Sequence, residues 1–371
     1  MYFGLTREIS LRRSLAMLWL FLVGHPWMFM NHICLSLDNI IFPDYKKTKL
    51  KNPVFVIGNY RSGTTFLHRI LAKDPRATSF KFWEILFPSL TQKKLFIPVI
   101  ATVDSILGHG LTKLVQKAEK RFLSKLNHIH KLSLFEAEED EFLYLWVFFA
   151  QHTFLLFPYN EMLDDICRYD EQPRDVREKY LKFYEECLQR HIYLHGEDRM
   201  FLAKNPAQCN KLQSLADHFP DAKFIYTVRS PYEQLGSLLS LVTTVISAHT
   251  STVAKKSEQS NRLYEENVYL YKHAIEVLDK LPSDRFAVVK YTDLVEKPRE
   301  TVENAYRKLN IEISPEFAAA LQKEEDKARK YKSGHEYKLE DYGFSKEQVA
   351  KDMQFVVDKF NLKGISESSD A

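Results

Sequence analysis

The chain has 371 residues, 27% of them charged and 45% hydrophobic, with a net charge of +3. That length buries one large core or two modest ones, and so small a net charge argues against a nucleic-acid partner, so any basic site must be local. Cys34, Cys167, Cys187 and Cys209 form no C-x-x-C pair, which excludes a disulfide scaffold and a cysteine zinc site and favours a reducing compartment.

Residues 1–50 read as an apolar N-terminal unit. Between Arg13 and Asp38 there is no formally charged residue, only His25 and His32. A stretch of about 20 apolar residues is long enough to span a bilayer. Gly24, His25 and Pro26 are expected to break it in the middle, and Lys/Arg flank both ends, so residues 15–37 are read as lying in the membrane interface or re-entering it. The expected location is membrane-associated, facing the cytoplasm. The alternative is a soluble cytoplasmic protein with two short helices packed on the domain. No small-residue cleavage site follows, so a removed signal peptide is not expected.

Residues 51–365 read as one domain, ending in a polar, disordered tail at 366–371. Val54–Ile57 is a continuous β-branched and aromatic run, the pattern of a buried parallel strand. A helix follows from Thr64, with Phe66, Leu67, Ile70 and Leu71 on one face, and stops before Asp74-Pro75. Residues 85–200 form a mostly helical, aromatic-rich insert broken at Pro88, Pro98, Pro158 and Pro173. Strands are then expected at Arg199–Ala203, Ala222–Val228 and Phe286–Val289, and helices at Leu212–Phe219, Pro231–Ser240 and Thr301–Leu309. This alternation predicts an α/β fold, a three-layer parallel sheet with helices on both faces and any ligand at the carboxyl ends of the strands.

Two segments carry anion-binding chemistry. In VFVIGNYRSGTTFLHRIL (54–71), a strand turns through Gly58 and Gly63 into a helix, so backbone N–H groups and the helix dipole converge. Arg61 adds a permanent charge with a fork of donors, and Thr64 and Thr65 add hydroxyls. The loop departs from the triphosphate-binding G-x-x-x-x-G-K-[ST] because Thr64 holds the lysine position. In FIYTVRSPYEQLGSLLS (224–240), Arg229 follows a strand, Ser230 can cap a helix, and Pro231 fits its first position. Ser237 lies two turns beyond Ser230, so both hydroxyls share a face near Arg229.

Together these segments resemble the sulfotransferases that use 3′-phosphoadenosine 5′-phosphosulfate (PAPS), in particular the broad, largely bacterial branch with a P-loop-like fold. That family's phosphosulfate loop, PRSGTT or PKSGTT, matches Tyr60-Arg61-Ser62-Gly63-Thr64-Thr65, with Tyr60 replacing the usual proline. Its Arg and Ser eight residues apart, which hold the 3′-phosphate, match Arg229 and Ser237. LAKNPAQCNKLQSLADHFPDAKFIYTVR, VVKYTDLVEKP and HEYKLEDYGFS extend the likeness through most of residues 50–360. The resemblance implies PAPS as donor, without a metal. It also implies Arg61, Ser62, Gly63, Thr64 and Thr65 on the phosphosulfate, Tyr291 near the adenine, and Lys204 near the transferring sulfate.

Transfer to a hydroxyl needs a base. The cytosolic branch's histidine position is Pro206, and the bacterial branch's later one is Gln208, so a histidine from this segment is excluded. Tyrosyl-protein and many glycan sulfotransferases use a glutamate shortly after the first helix, which resembles Glu84 in DPRATSFKFWEILFP. Glu136, Glu138, Glu139, Asp140 and Glu141 read as a solvated acidic face and the next candidates, and His128 and His130 as weak metal candidates. The partner is a hydroxyl-bearing acceptor, lipid, glycan or small molecule. Trp83, Tyr144, Trp146, Phe148 and Phe149 in the insert suit an acceptor or a core. The rival readings are a P-loop kinase-like phosphotransferase and a non-catalytic, membrane-anchored nucleotide-binding protein. The first lacks the loop lysine and an acidic metal ligand at a strand end.

Overall fold

The computed structural model describes residues 10–122, 133–157, 163–250, 255–328 and 339–362. Five strands, β1 (Val54–Gly58), β2 (Ala77–Thr78), β3 (Met200–Lys204), β4 (Lys223–Val228) and β5 (Phe286–Lys290), form one parallel sheet in the order β2-β3-β1-β4-β5. β1 is central, with Val54 opposite both Leu202 and Lys223, and Gly58 opposite Thr227.

The strands are apolar on both faces because both faces are covered. Phe55, Ile57, Phe224 and Tyr226 pack on one side in a cluster with α9 (Arg174–His195), α10 (Leu212–His218), α11 (Pro231–Ser247), α12 (Glu258–Leu278) and α16 (Lys346–Phe360). Val54, Val56, Ile225 and Val289 face the other way, against α3 (Thr64–Leu71), α13 (Tyr291–Glu296), α14 (Pro298–Lys308) and α15 (Pro315–Ala328). This is the expected three-layer α/β/α arrangement. The insert between β2 and β3 holds α4 (Phe82–Leu86), α5 (Ile97–Ile106), α6 (Gly110–Phe122), α7 (Thr153–Leu156), α8 (Leu163–Cys167) and α9.

The N-terminal segment differs from its expected form. α1 (Leu11–Trp19) runs through a π turn, Leu20–Gly24, into α2 (His25–Ile41) as one helical rod of 31 residues. The His25 amide bonds to Leu20 O, five residues back. The extra residue in that turn absorbs the proline that would otherwise break the helix.

The inner face of α2 is fixed to the domain. Arg190 Nε donates to the buried Asp38 at 2.8 Å, and the Asp38 carboxylate also accepts the Leu90 and Thr91 amides. Trp27 and Asn31 donate to Leu86 O. The outer face leaves Leu18, Trp19, Phe21, Leu22, Phe29 and Ile33 exposed.

Candidate active site

Gly58 (φ 151°) and Gly63 (φ 99°) let the chain leave β1, loop, and enter α3. A Cβ on Gly58 would stand 2.4 Å from Thr227 O, and one on Gly63 would stand 2.6 Å from the Tyr291 ring. Arg61 is itself left-handed (φ 69°), a conformation that costs a non-glycine residue about 1–2 kcal/mol. The loop is held from several sides. Asn59 Nδ2 donates to Asn267 Oδ1 at 2.9 Å, Asn267 donates to Gln234, and Gln234 donates to Tyr60 O. Tyr60, the departure from proline, gives its hydroxyl to Gln151 Oε1 at 2.8 Å and so ties the loop to the insert. Gly63 caps α3 with no side-chain bond, so the amides of its first turn are offered to whatever the loop holds.

These elements border a cavity of about 770 Å³. Arg61, Gly63, Thr64, Thr65, Arg229 and Tyr291 all line it. Arg229 follows β4, makes a 2.9 Å ion pair with Glu233, and has its guanidinium 4.5 Å above the Tyr291 ring. Tyr291 therefore bridges Gly63 and Arg229. Ser62 and Ser237 sit behind this lining. Ser62 Oγ pairs with Thr227 Oγ1 at 2.7 Å, and Ser237 Oγ accepts from Arg61 Nε at 2.9 Å. Ser230 is the N-cap of α11 but makes no side-chain cap bond.

Lys204, at the end of β3, is fully buried below Thr65, with Nζ 3.5 Å from Thr65 Oγ1. It donates to Glu139 at 2.8 Å and to Glu138 at 3.0 Å. Burial opposes its charge, but the two carboxylates outweigh it and raise its pKa. Residues 138–141 are not a solvated face. All four are buried, and each meets a partner from α9, from β3 or from the residues just after it. Glu141 accepts from Lys211 at 2.7 Å and from Asn205 at 3.0 Å, while Asp140 accepts the Tyr184 hydroxyl. Glu139 lines the cavity, with His152 Nε2 3.3 Å from its second oxygen. The His152 ring stacks on Phe142.

Glu84 does not join this group. It is fully buried outside the cavity lining, with Oε2 on the Lys81 amide at 2.9 Å and Oε1 on His195 Nε2 at 2.8 Å. Burial pushes its pKa up, but His195, Lys93, His191 and the Lys81 amide together pull it down to about 2. One oxygen holds the helix start and the other ties it to the end of α9. Glu84, His191 and His195 bring three ligand-type atoms within 4.8 Å, with the Lys93 charge already beside the carboxylate. His128 and His130 lie outside the described residues. Of the aromatics that suited an acceptor or a core, Tyr144 and Phe149 are core, Trp146 packs on Trp27 and Phe148 is exposed, and none of them lines the cavity. Its far wall is instead Phe154, Leu155, Leu238, Leu241, Val242 and Val245.

Residues 53–315 match the sulfotransferase family. The chain is 26% identical over 346 residues to the omega-hydroxy-beta-dihydromenaquinone-9 sulfotransferase Stf3 of Mycobacterium bovis, covering 90% of this chain and 81% of that one. Its fold is similar to the crystal structure of sulfotransferase STF9 from Mycobacterium avium (TM-score 0.70, 19% identity, 89% of this chain and 82% of that one). It is also similar to STF1 from Mycobacterium tuberculosis (TM-score 0.66, 21% identity, 88% and 82%).

Proposed function

The chain belongs to the sulfotransferase family, and from that premise we propose that it moves the sulfuryl group of PAPS to a hydroxyl on an apolar acceptor. The observation that carries this is Tyr291, whose ring touches both the Gly63 loop and Arg229. Two anion-binding groups adjoin one aromatic ring, a layout that suits a nucleoside with phosphates at two positions. Arg61, Thr64, Thr65 and the α3 amides hold the phosphosulfate, with Ser237 orienting Arg61, while Arg229 holds the 3′-phosphate beside Tyr291. The bound donor supplies an electrophilic sulfur whose leaving group is a phosphate. Because the transferred group carries less charge than a terminal phosphoryl, cationic side chains and amides suffice to balance it.

Glu139 is the base in this reading. It takes the acceptor's proton as the acceptor oxygen bonds to sulfur and the bond from sulfur to the phosphate oxygen breaks. Lys204 and His152 hold its carboxylate in place. The apolar far wall favours a long apolar acceptor, which agrees in kind with the hydroxylated menaquinone named for the Mycobacterium bovis relative. The uncovered face of the N-terminal helix, within residues 15–37, is read as a membrane contact that would bring such an acceptor close.

Adenosine 3′,5′-bisphosphate should stabilise the protein in a thermal shift without added metal, and ATP with magnesium should do less. The reverse order would favour a kinase-like enzyme. Incubating lipid extracts with sulfur-labelled donor should yield labelled organic-phase product. Glu139→Gln should lower that yield by roughly 10²–10⁴-fold while keeping bisphosphate affinity, and an unchanged rate would remove Glu139 from the role.

A further inference from the structure

The insert carries a feature that sulfuryl transfer does not use. The run from Gln92 through α5 to Ile106 and the run from Gly110 through α6 form a hairpin bent by 107°. α5 is largely apolar, with Thr102, Asp104 and Ser105 its polar residues, yet Val99 is 62% exposed and Ile106 78%. Leu107, in the turn, is 76% exposed. Its one charged residue, Asp104, is turned inward and accepts the Leu111 and Thr112 amides at the start of α6. A helix this apolar is normally buried in a core or in lipid. Among the described residues nothing covers this one.

α6 is amphipathic in a matching sense. Leu111, Leu114 and Val115 share one exposed stripe, while Lys113, Lys117 and Lys120 project from the other side. Glu119, the acid within that helix, is engaged with Ser133 Oγ and the Leu134 amide. The outward charge is therefore basic, beside an apolar stripe, the layout of a helix lying in a lipid interface.

We propose that this hairpin docks on a bilayer bearing anionic headgroups, with α5 entering one leaflet and α6 lying along the surface. The 10 residues of α5, Ile97–Ile106, span about 15 Å at 1.5 Å each, half of a hydrocarbon core of about 30 Å, so α5 enters one leaflet without crossing. The hairpin's root is fixed to the N-terminal helix, since Gln92 donates to Asn31 at 2.7 Å and Thr91 N to Asp38 at 2.7 Å. Both uncovered apolar elements thus grow from one joint. The proposal goes beyond the membrane reading of residues 15–37 and uses it only for orientation. A second copy of the chain is the poorer occupant, because it would cover the apolar stripe and leave the α6 lysines unused, whereas anionic headgroups meet both.

The test is co-sedimentation of the full-length protein with vesicles of phosphatidylcholine, alone or mixed with phosphatidylserine. The wild type should bind the mixed vesicles more tightly. K113Q/K117Q/K120Q should weaken that binding about 100-fold at low salt and leave the weaker phosphatidylcholine binding unchanged. I100Q/V103Q should weaken binding to both. Bisphosphate affinity should match the wild type in both variants, which separates this result from any failure of the transferase reading. Wild-type vesicle affinity in both variants would overturn the proposal. So would a stable dimer that binds no vesicles and is dissolved by I100Q/V103Q.

Discussion

Arg61 and Ser237, 176 positions apart in the chain, are joined by a 2.9 Å hydrogen bond from Nε to Oγ. The loop after β1 and the second turn of α11 are therefore one unit, and the two anion-binding segments share a wall. Ser237 fixes the direction of the Arg61 fork at the cavity wall. A side chain already aimed loses little freedom when it binds.

Arg229→Ala should weaken adenosine 3′,5′-bisphosphate by roughly 1.5–3 kcal/mol, the range for a charge-assisted hydrogen bond. Turnover at saturating donor should change much less, since the lost contact is remote from the reacting sulfur. Titration calorimetry together with saturation kinetics checks both, and unchanged affinity would place the second phosphate elsewhere.

Gly63→Ala should abolish bisphosphate binding while leaving a folded protein. The new methyl would stand 2.6 Å from the Tyr291 ring at φ 99°, so the ring must move away from its place beside Arg229. Circular dichroism and a thermal-shift titration separate loss of site from loss of fold. Wild-type affinity would show that the ring's position does not matter.

Glu84→Gln should cost stability rather than chemistry. The carboxyl falls from the ordinary 4.5 to about 2, so its contribution is present above pH 4.5 and is lost as pH drops towards 2. At about 1.4 kcal/mol per unit this is roughly 3 kcal/mol. Urea unfolding at pH 7 should show the deficit, shrinking as both proteins are taken below pH 4. A large fall in turnover of the folded variant, with full stability, would return Glu84 to the chemistry.

Asp140 has the opposite sign. Burial, with Glu141 nearby, pushes its carboxyl from 3.8 up to about 7, against the hydrogen bond from Tyr184. Its contribution is present below pH 3.8 and fades as pH rises through 7, so stability should decline across that window. Asp140→Asn should flatten the decline and leave the protein more stable than the wild type at pH 8. Gln208 can turn its amide to match, since its oxygen has no partner. A variant less stable than the wild type at pH 8 would contradict this.

Much of the fold was readable because its signals are local. β1, β4 and β5 are short apolar runs next to turns, and the loop at 58–65 carries its own glycines and hydroxyls. β2 has only two residues, too few for any pattern, and exists because Met200 and Phe201 lie alongside it. Glu136 is exposed as read, but 138–141 looked solvated because their cations come from far along the chain: Lys204 and Lys211 lie 65 and 70 positions away from Glu139 and Glu141. Glu84 has the right distance from the first helix, but spacing does not say where a side chain points. The π turn at Leu20–Gly24 leaves no mark in residue type, so Pro26 read as a break. The hairpin's exposure was hidden for the same reason, since apolar helices read alike whether covered or bare.

The Asp38–Arg190 pair bears on how the protein is made. The two residues are 152 positions apart, so at about 5–20 residues per second the carboxylate waits roughly 8–30 s for its guanidinium during synthesis. Throughout that interval the inner face of the rod at residues 11–41 has Leu86, Leu90 and Thr91 to dock on but lacks the cation that neutralises Asp38. The first contacts of the rod are therefore with the segment at 86–92, and the Asp38–Arg190 pair closes only after the whole helical insert has been made.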